Sequence, residues 1–254
     1  MSQADVPPAP GSASRAPDSR GSASFEDAWT AVQDVVGWLK EGQARILWDE
    51  ASALGKDAVV LEIGSHQGRS TVILGEAVRP NGGSVIAVDP FVEGRLFGGL
   101  STKDKFERNI AANDLTDVVE LVQDYSTKLR PGWSRSFDML YIDGKHDYWT
   151  LSDDLRWSVH LPEGGAVVIH DCFSSIGVTL GILRHVLFSD RIVYERRSDS
   201  QALFRVGRPT AADRIRILAE MPWWIRNVFL KVLLRLKLRK VAARFGHDSP
   251  YDPY

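Results

Sequence analysis

Apolar residues change their spacing several times along the chain, and each change predicts a different element. Phe25, Ala28, Trp29, Val32, Val36 and Leu39 recur at the interval of a helix face, and Ile46, Leu47 and Leu54 continue it, so one or two helices are expected first. Short apolar runs follow at residues 58–63, 84–88, 118–122, 137–142, 166–169, 191–194 and 201–206, with helical stretches between most of them. Alternating strand and helix units of this kind predict an α/β fold, a doubly wound and mostly parallel Rossmann-like sheet of seven strands covered on both faces. Ligands of such sheets lie at the carboxyl ends of the strands.

Outside this alternation the pattern differs. Residues 1–24 are Ser, Ala, Pro and Gly with a few charges, too poor in apolar side chains to offset ordering entropy, and are expected to form a flexible tail. Helices are expected over 25–57, the sheet domain over 58–209 and a helical extension over 210–254, with one continuous helix at about 222–245. That last helix carries Arg226, Lys231, Arg235, Lys237, Arg239, Lys240 and Arg244 with no acidic residue among its apolar positions.

With 254 residues, 44% of them hydrophobic and 25% charged, the chain has the composition of one folded domain with extensions. Its net charge of −2, from 31 basic and 33 acidic residues, gives no global attraction to nucleic acid or membrane. The single cysteine, Cys172, excludes an internal disulfide. With no apolar run of spanning length and no basic-then-apolar leader, a cytoplasmic location is expected. The basic extension is read first as a helix packed on its own sheet or on a homodimer mate, next as peripheral membrane contact, and last as a nucleic-acid site.

Candidate chemistry begins at Glu62-Ile63-Gly64-Ser65-His66-Gln67-Gly68, a glycine turn between a strand and a helix. Glycine permits close backbone approach, and the helix amino end offers unpaired N–H groups. Three residues between the glycines, followed by Arg69, do not make a phosphate-binding P-loop, and the third glycine of a dinucleotide fingerprint is missing, which leaves nicotinamide binding the weaker alternative. Asp89 ends the next strand, where a carboxylate can accept both hydroxyls of a ribose.

Glu62-x-Gly64-x-x-x-Gly68 together with Asp89 resembles the class I S-adenosylmethionine-dependent methyltransferases over roughly residues 59–206. That resemblance implies S-adenosylmethionine as cofactor, with Glu62, Gly64, Ser65 and Gly68 along its methionine part and Asp89 on its ribose. More loosely it implies a hydroxyl contact from Ser70, with Gln123, Asp124 and Ser126 flanking the adenine.

Two further clusters end strands: Asp143-Gly144-Lys145-His146-Asp147-Tyr148, and His170-Asp171 after Gly164-Gly165. A parallel sheet brings Asp143, His146, His170 and Asp171 into the crevice of Gly64 and Asp89, although strand-end Asp also caps helices and a crevice His can serve only as a hydrogen-bond partner. Carboxylate oxygens suit Mg²⁺, histidine tilts a site toward Mn²⁺, and an ion on a substrate hydroxyl lowers its pKa.

The order Asp-Gly-x-His-x-Tyr, Gly-Gly, His-Asp is similar to the macrocin and sugar O-methyltransferase group. It implies a divalent ion near Asp143, His170 and Asp171, with His146 as proton acceptor and a small carbohydrate as acceptor. His170-Asp171 stands where some members have consecutive acids, so the ligand set departs from the pattern. Motifs and size are also similar to methyltransferases of methylmannose polysaccharide synthesis, which implies the 1-hydroxyl of a short 3-O-methylated mannoside. A small aromatic or antibiotic hydroxyl, and a non-catalytic cofactor-binding assembly protein, are the alternatives. Trp133, Trp149 and Trp157 are candidates to stack on a sugar, or for the core, and residues 92–100 for a closing loop or a passive connector.

Overall fold

The computed structural model describes residues 24–93 and 99–247. In chain order its elements are α1 (Phe25–Ala31), α2 (Glu41–Ser52), β1 (Val59–Ile63), α3 (Arg69–Val78), β2 (Ser84–Val88), α4 (Leu100–Ala112), β3 (Val119–Val122), α5 (Ser126–Leu129), β4 (Met139–Ile142), α6 (Tyr148–Asp154), β5 (Ala166–Ile169), α7 (Ile176–His185), β6 (Ile192–Ser198), β7 (Gln201–Val206), α8 (Ala211–Ala219), α9 (Met221–Arg235) and α10 (Arg239–Arg244). The seven strands form one sheet in the order β3-β2-β1-β4-β5-β7-β6. β1 to β5 pair in parallel, and β7 runs antiparallel to both β5 and β6. A seven-stranded, mostly parallel sheet is therefore the fold, as the apolar runs predict.

Strand periodicity assigns the two faces. Val60, Val85, Met139, Tyr141, Ala166, Val168 and Leu203 point to one side and pack with α1, α2 and α3, while Leu61, Ile63, Ile86, Leu140, Ile142, Val167, Ile169 and Phe204 point to the other and pack with residues of α6 and α7. Each fully buried Leu or Ile contributes about 1.5–3 kcal/mol, so the two-sided burial fixes the register and with it which residues leave the carboxyl ends.

Two expected boundaries differ. The helical spacing that begins at Phe25 stops after Ala31, and residues 32–40 turn back before α2. Gly37 lies in that turn with the side chain of Arg69 against it, and Arg69 Nη1 donates to the carbonyl of Val35 at 2.8 Å. The expected helix over 222–245 is two helices. The N–H groups of Leu238 and Lys237 bond the carbonyls of Leu233 and Leu234, a Schellman closure with Lys237 at φ +61° in the left-handed position usually held by glycine. Ser24, read as tail, caps α1 by a reciprocal pair of hydrogen bonds with Asp27. The rest of the expected tail and residues 94–98 of the expected loop lie outside the described residues. Among the described residues no helix is long and apolar enough to cross a membrane.

Candidate active site

The glycine turn follows β1. Gly64 has φ +89°, and a Cβ there would lie 2.4 Å from the carbonyl oxygen of Asp143 and 2.7 Å from the nitrogen of Gly144, so only glycine lets the ends of β1 and β4 meet. Gly68, at φ +87°, begins α3 without a side-chain cap, which leaves the helix amino end for a ligand. Ser65 is buried there, close to the Glu62 carboxyl. These features fit the carboxylate and amine of a bound methionine moiety.

Glu62 and Ser70 hold each other below the turn. The Glu62 carboxyl is fully buried and accepts from Ser70 Oγ at 2.6 Å and from Thr71 Oγ1. Burial pushes its pKa up to about 7 against the pull of these hydroxyls. In this geometry the pair braces the turn from beneath. Asp89 Oδ2 accepts the N–H groups of Ser65 and His66 at 3.0 and 2.9 Å, and Oδ1 accepts that of Phe91 at 2.8 Å. Its carboxylate therefore ties the turn to the end of β2 and keeps acceptor capacity on Oδ1.

At the ends of β4 and β5 four titratable side chains meet. Oδ1 of Asp143 lies 3.3 Å from His146 Nε2 and 3.3 Å from His170 Nδ1, and the Tyr141 hydroxyl donates to its Oδ2 at 3.0 Å. Asp171 sits behind the imidazoles, 1% exposed, with Oδ2 2.7 Å from His146 Nδ1 and Oδ1 3.3 Å from His170 Nδ1. Burial alone would depress the His146 pKa, but Asp143 and Asp171 outweigh it and hold the pKa at about 10. Burial likewise opposes charge on Asp171, and the two imidazoles override it to hold the carboxyl far below the usual range.

One ligand atom from each of Asp143, His146 and His170 falls within 4.8 Å of the others. His170 Nδ1 is buried without an aligned hydrogen bond although two carboxylates lie 3.3 Å away, a donor arrangement that fits a cation. The expected ligands Asp143 and His170 belong to this grouping. His146 stands with Asp143 and His170, whereas Asp171 lies where a carboxylate orients metal-site histidines. Backbone strain concentrates around the same crevice: His66, Phe91, Asp171 and Phe173 all have φ between +44° and +58°.

The expected adenine-side residues lie after β3. Gln123 is exposed, and Asp124 Oδ1 accepts the Tyr125 N–H at 2.7 Å and pairs with Lys128 at 3.2 Å. Ser126 Oγ donates to Asp154 Oδ1 at 2.6 Å. Asp147 caps α6 by accepting from the N–H of Thr150 at 2.8 Å, as expected of an acid at a helix start.

Asp154 has no such surface role. It is 1% exposed, its Oδ2 has no partner, and burial pushes its pKa from 3.8 up to about 7. A carboxyl whose native pKa is raised binds its proton more tightly when folded, so its contribution is whole at low pH and is lost as pH rises through about 7. Thermal melts should show stability falling between about pH 4 and pH 7. Asp154→Asn should remove part of that fall, worth up to about 3 kcal/mol across the window. An unchanged pH slope in the variant would contradict the assignment.

Two further crevice residues carried no sequence signal. Gln43 of α2, buried, places Oε1 3.4 Å from His170 Nε2, and reads in sequence as one polar residue on an amphipathic helix. Trp38, half exposed in the 32–40 turn, packs its ring 5.6 Å from that of His66. Of the expected sugar-stacking residues, Trp133 and Trp157 are buried against each other in the core, and Trp149 is exposed on α6.

Comparison with known proteins agrees with this architecture. Residues 61–172 match a family model described as a methyltransferase domain. Cofactor-bound Rv0187 from MTB superposes with a TM-score of 0.52 at 18% identity, covering 73% of this chain and 88% of that one. The O-methyltransferase TomG from Streptomyces achromogenes, solved with SAM and involved in tomaymycin synthesis, gives 0.52 at 17% identity over 72% and 89%. A SAM-dependent O-methyltransferase from Thermotoga maritima gives 0.51 at 16% identity over 74% and 72%. Over residues 61–172 the chain is similar to the methyltransferase-domain family, and its sheet has the same fold as these solved methyltransferases.

Proposed function

We propose that this protein is an S-adenosylmethionine-dependent O-methyltransferase that uses a divalent ion to methylate a carbohydrate hydroxyl. The convergence of Asp143, His146, His170 and Asp171 beside the glycine turn carries the reading. Asp143 and His170 would hold the ion, Asp171 fixes His146 by Nδ1, and His146 Nε2 faces the reacting hydroxyl.

A divalent ion there would lower the hydroxyl pKa and place a positive charge beside Asp143, which takes over the role of the His146 proton. His146 Nε2 would then be free to accept the hydroxyl proton, and the bound cofactor would supply the methyl group to the hydroxyl oxygen and leave as S-adenosylhomocysteine. The turn at Gly64–Gly68 and the amino end of α3 orient the methionine part of the cofactor. The motif order Asp-Gly-x-His-x-Tyr, Gly-Gly, His-Asp favours a carbohydrate, and a short 3-O-methylated mannoside methylated at its 1-hydroxyl is the acceptor to try first.

Calorimetric titration with S-adenosylhomocysteine, followed by methyl-transfer assays on methylated mannosides and on catechols, tests the reading. Binding of S-adenosylhomocysteine is expected, as is turnover of mannosides that chelator removes and Mg²⁺ or Mn²⁺ restores. Absence of binding with and without either ion would overturn the methyltransferase reading. Turnover of catechols alone would move the acceptor to aromatic hydroxyls, and chelator-resistant turnover would remove the ion.

A further inference from the structure

Helix α2 reaches the crevice through one side chain. Gln43 is 1% exposed, and its Oε1 accepts the backbone N–H of Lys40 at 2.8 Å, the contact that starts the helix. Its Nε2 donates to Ser200 Oγ at 3.2 Å, and its own carbonyl accepts from Gln201 Nε2 at 2.8 Å. Ser200 and Gln201, both fully buried, lie where β6 turns into β7. A Cβ on Gly42 would come within 2.5 Å of Ser198 Oγ, so α2 rests directly on that hairpin. The Gln43 amide is therefore held at both of its polar atoms.

The way the amide is held bears on His170. A backbone N–H can only donate, so the Gln43 atom that faces Lys40 is the carbonyl oxygen. That same oxygen lies 3.4 Å from His170 Nε2. An amide oxygen can only accept, so Nε2 bonds it only with its proton in place. A neutral imidazole has one N–H, and a proton on Nε2 leaves the lone pair on Nδ1.

His170 Nδ1 is the nitrogen that lies 3.3 Å from Asp143 Oδ1. A lone pair and a carboxylate at that distance repel each other, and a cation between them turns the repulsion into two bonds. Without an ion, a proton on Nδ1 can fill the same gap. With one, the ring's proton has to be on Nε2, and at 3% exposure the ring depends on a protein acceptor there. Gln43 Oε1 is that acceptor.

We infer that Gln43 is a positioning residue for the proposed ion site, holding His170 with its proton on Nε2 and its Nδ1 lone pair toward the ion beside Asp143. The inference rests on the ion-assisted reading above. It gives the helices before β1 a part in the site, since Gln43 lies outside residues 61–172 that match the family model.

Mn²⁺ titration followed by electron paramagnetic resonance tests this without turnover, on the full chain and its variants, with Asp143→Ala setting the level of binding elsewhere on the surface. Gln43→Leu keeps the volume and removes the acceptor, and should weaken Mn²⁺ binding at least about tenfold with S-adenosylhomocysteine affinity unchanged. Gln43→Glu keeps an oxygen for Lys40 and His170 and should bind Mn²⁺ at least as tightly as the parent. Imidazole nitrogen NMR of the Mg²⁺-loaded parent gives an answer that needs no variant: His170 should carry a proton on Nε2 and none on Nδ1. Unchanged Mn²⁺ affinity in Gln43→Leu, equal losses in the two Gln43 variants, or a proton on Nδ1 in the Mg²⁺-loaded parent overturns the inference and leaves the ion site standing. Absence of Mn²⁺ binding by the parent overturns the ion reading and this inference with it.

Discussion

Asp143→Ala is expected to lower methyl transfer by at least about a thousandfold while leaving the protein folded. Asp143 lies 3.3 Å from both His146 Nε2 and His170 Nδ1, so its removal takes away the centre of the proposed ion site. The fold should survive, because the side chain stands at the mouth of the crevice and the Asp143 backbone N–H still bonds the carbonyl of Ile63 at 2.8 Å. Two readouts separate chemistry from structure. S-adenosylhomocysteine affinity should change little, since the glycine turn is untouched. The His146 proton, held at about 10 partly by Asp143, should leave at lower pH in the variant, which NMR of the imidazole can follow. Full turnover by the variant would eliminate both the ion and the carboxylate from the mechanism.

Gly64→Ala should be the most damaging single substitution in the cofactor turn. The new methyl would sit 2.4 Å from the carbonyl oxygen and 2.6 Å from the carbonyl carbon of Asp143, in a residue already at φ +89°. Backbone on both sides must move, since no flexible side chain is there to yield, and a cost above about 3 kcal/mol is expected with loss of cofactor binding. Gly68→Ala provides the comparison. Its φ is nearly the same, but its Cβ would meet the Phe106 ring at 3.2 Å, and a ring can shift. Chemical denaturation of the two variants should show the Gly64 change costing about 2 kcal/mol more. Equal costs would mean that φ alone, and not the approach of β4 to β1, demands glycine at the first position.

Both results bear on the same junction. Asp143 follows β4, Gly64 follows β1, and the two strands are neighbours in the sheet, so the glycine turn and the proposed ion site share a backbone contact. A change that widens that contact should weaken both functions together.

The chain's own pattern determined the sheet. Short continuous apolar runs between helical stretches are the pattern of strands buried on both faces, and six of the seven strand boundaries fall within about two residues of those runs. The seventh, β6, continues to Ser198 because its pairing with β7 carries it past the apolar residues into Arg196 and Arg197. The strand-end acids and histidines were legible for the same reason, since a parallel sheet delivers every carboxyl end to one crevice. The turn at Gly64–Gly68 was legible because glycine at two fixed positions marks conformations that other residues avoid.

Tertiary structure alone decided which polar group serves which purpose. Asp171 and Asp143 look alike in sequence, yet one is buried behind two imidazoles and the other faces the crevice. Asp89 and Glu62 face inward to backbone N–H groups and to helix hydroxyls. Asp154 lies in a row of acids at a helix start, and only packing against Ser126 and Gly144 makes it a buried carboxyl. Gln43 and Trp38 reach the site from segments more than a hundred residues from His170, where local spacing carries no information about what they will touch. Spacing along a chain encodes which face of an element is buried, whereas the partner of a polar side chain is set by distance in space, and only the folded chain brings those partners together.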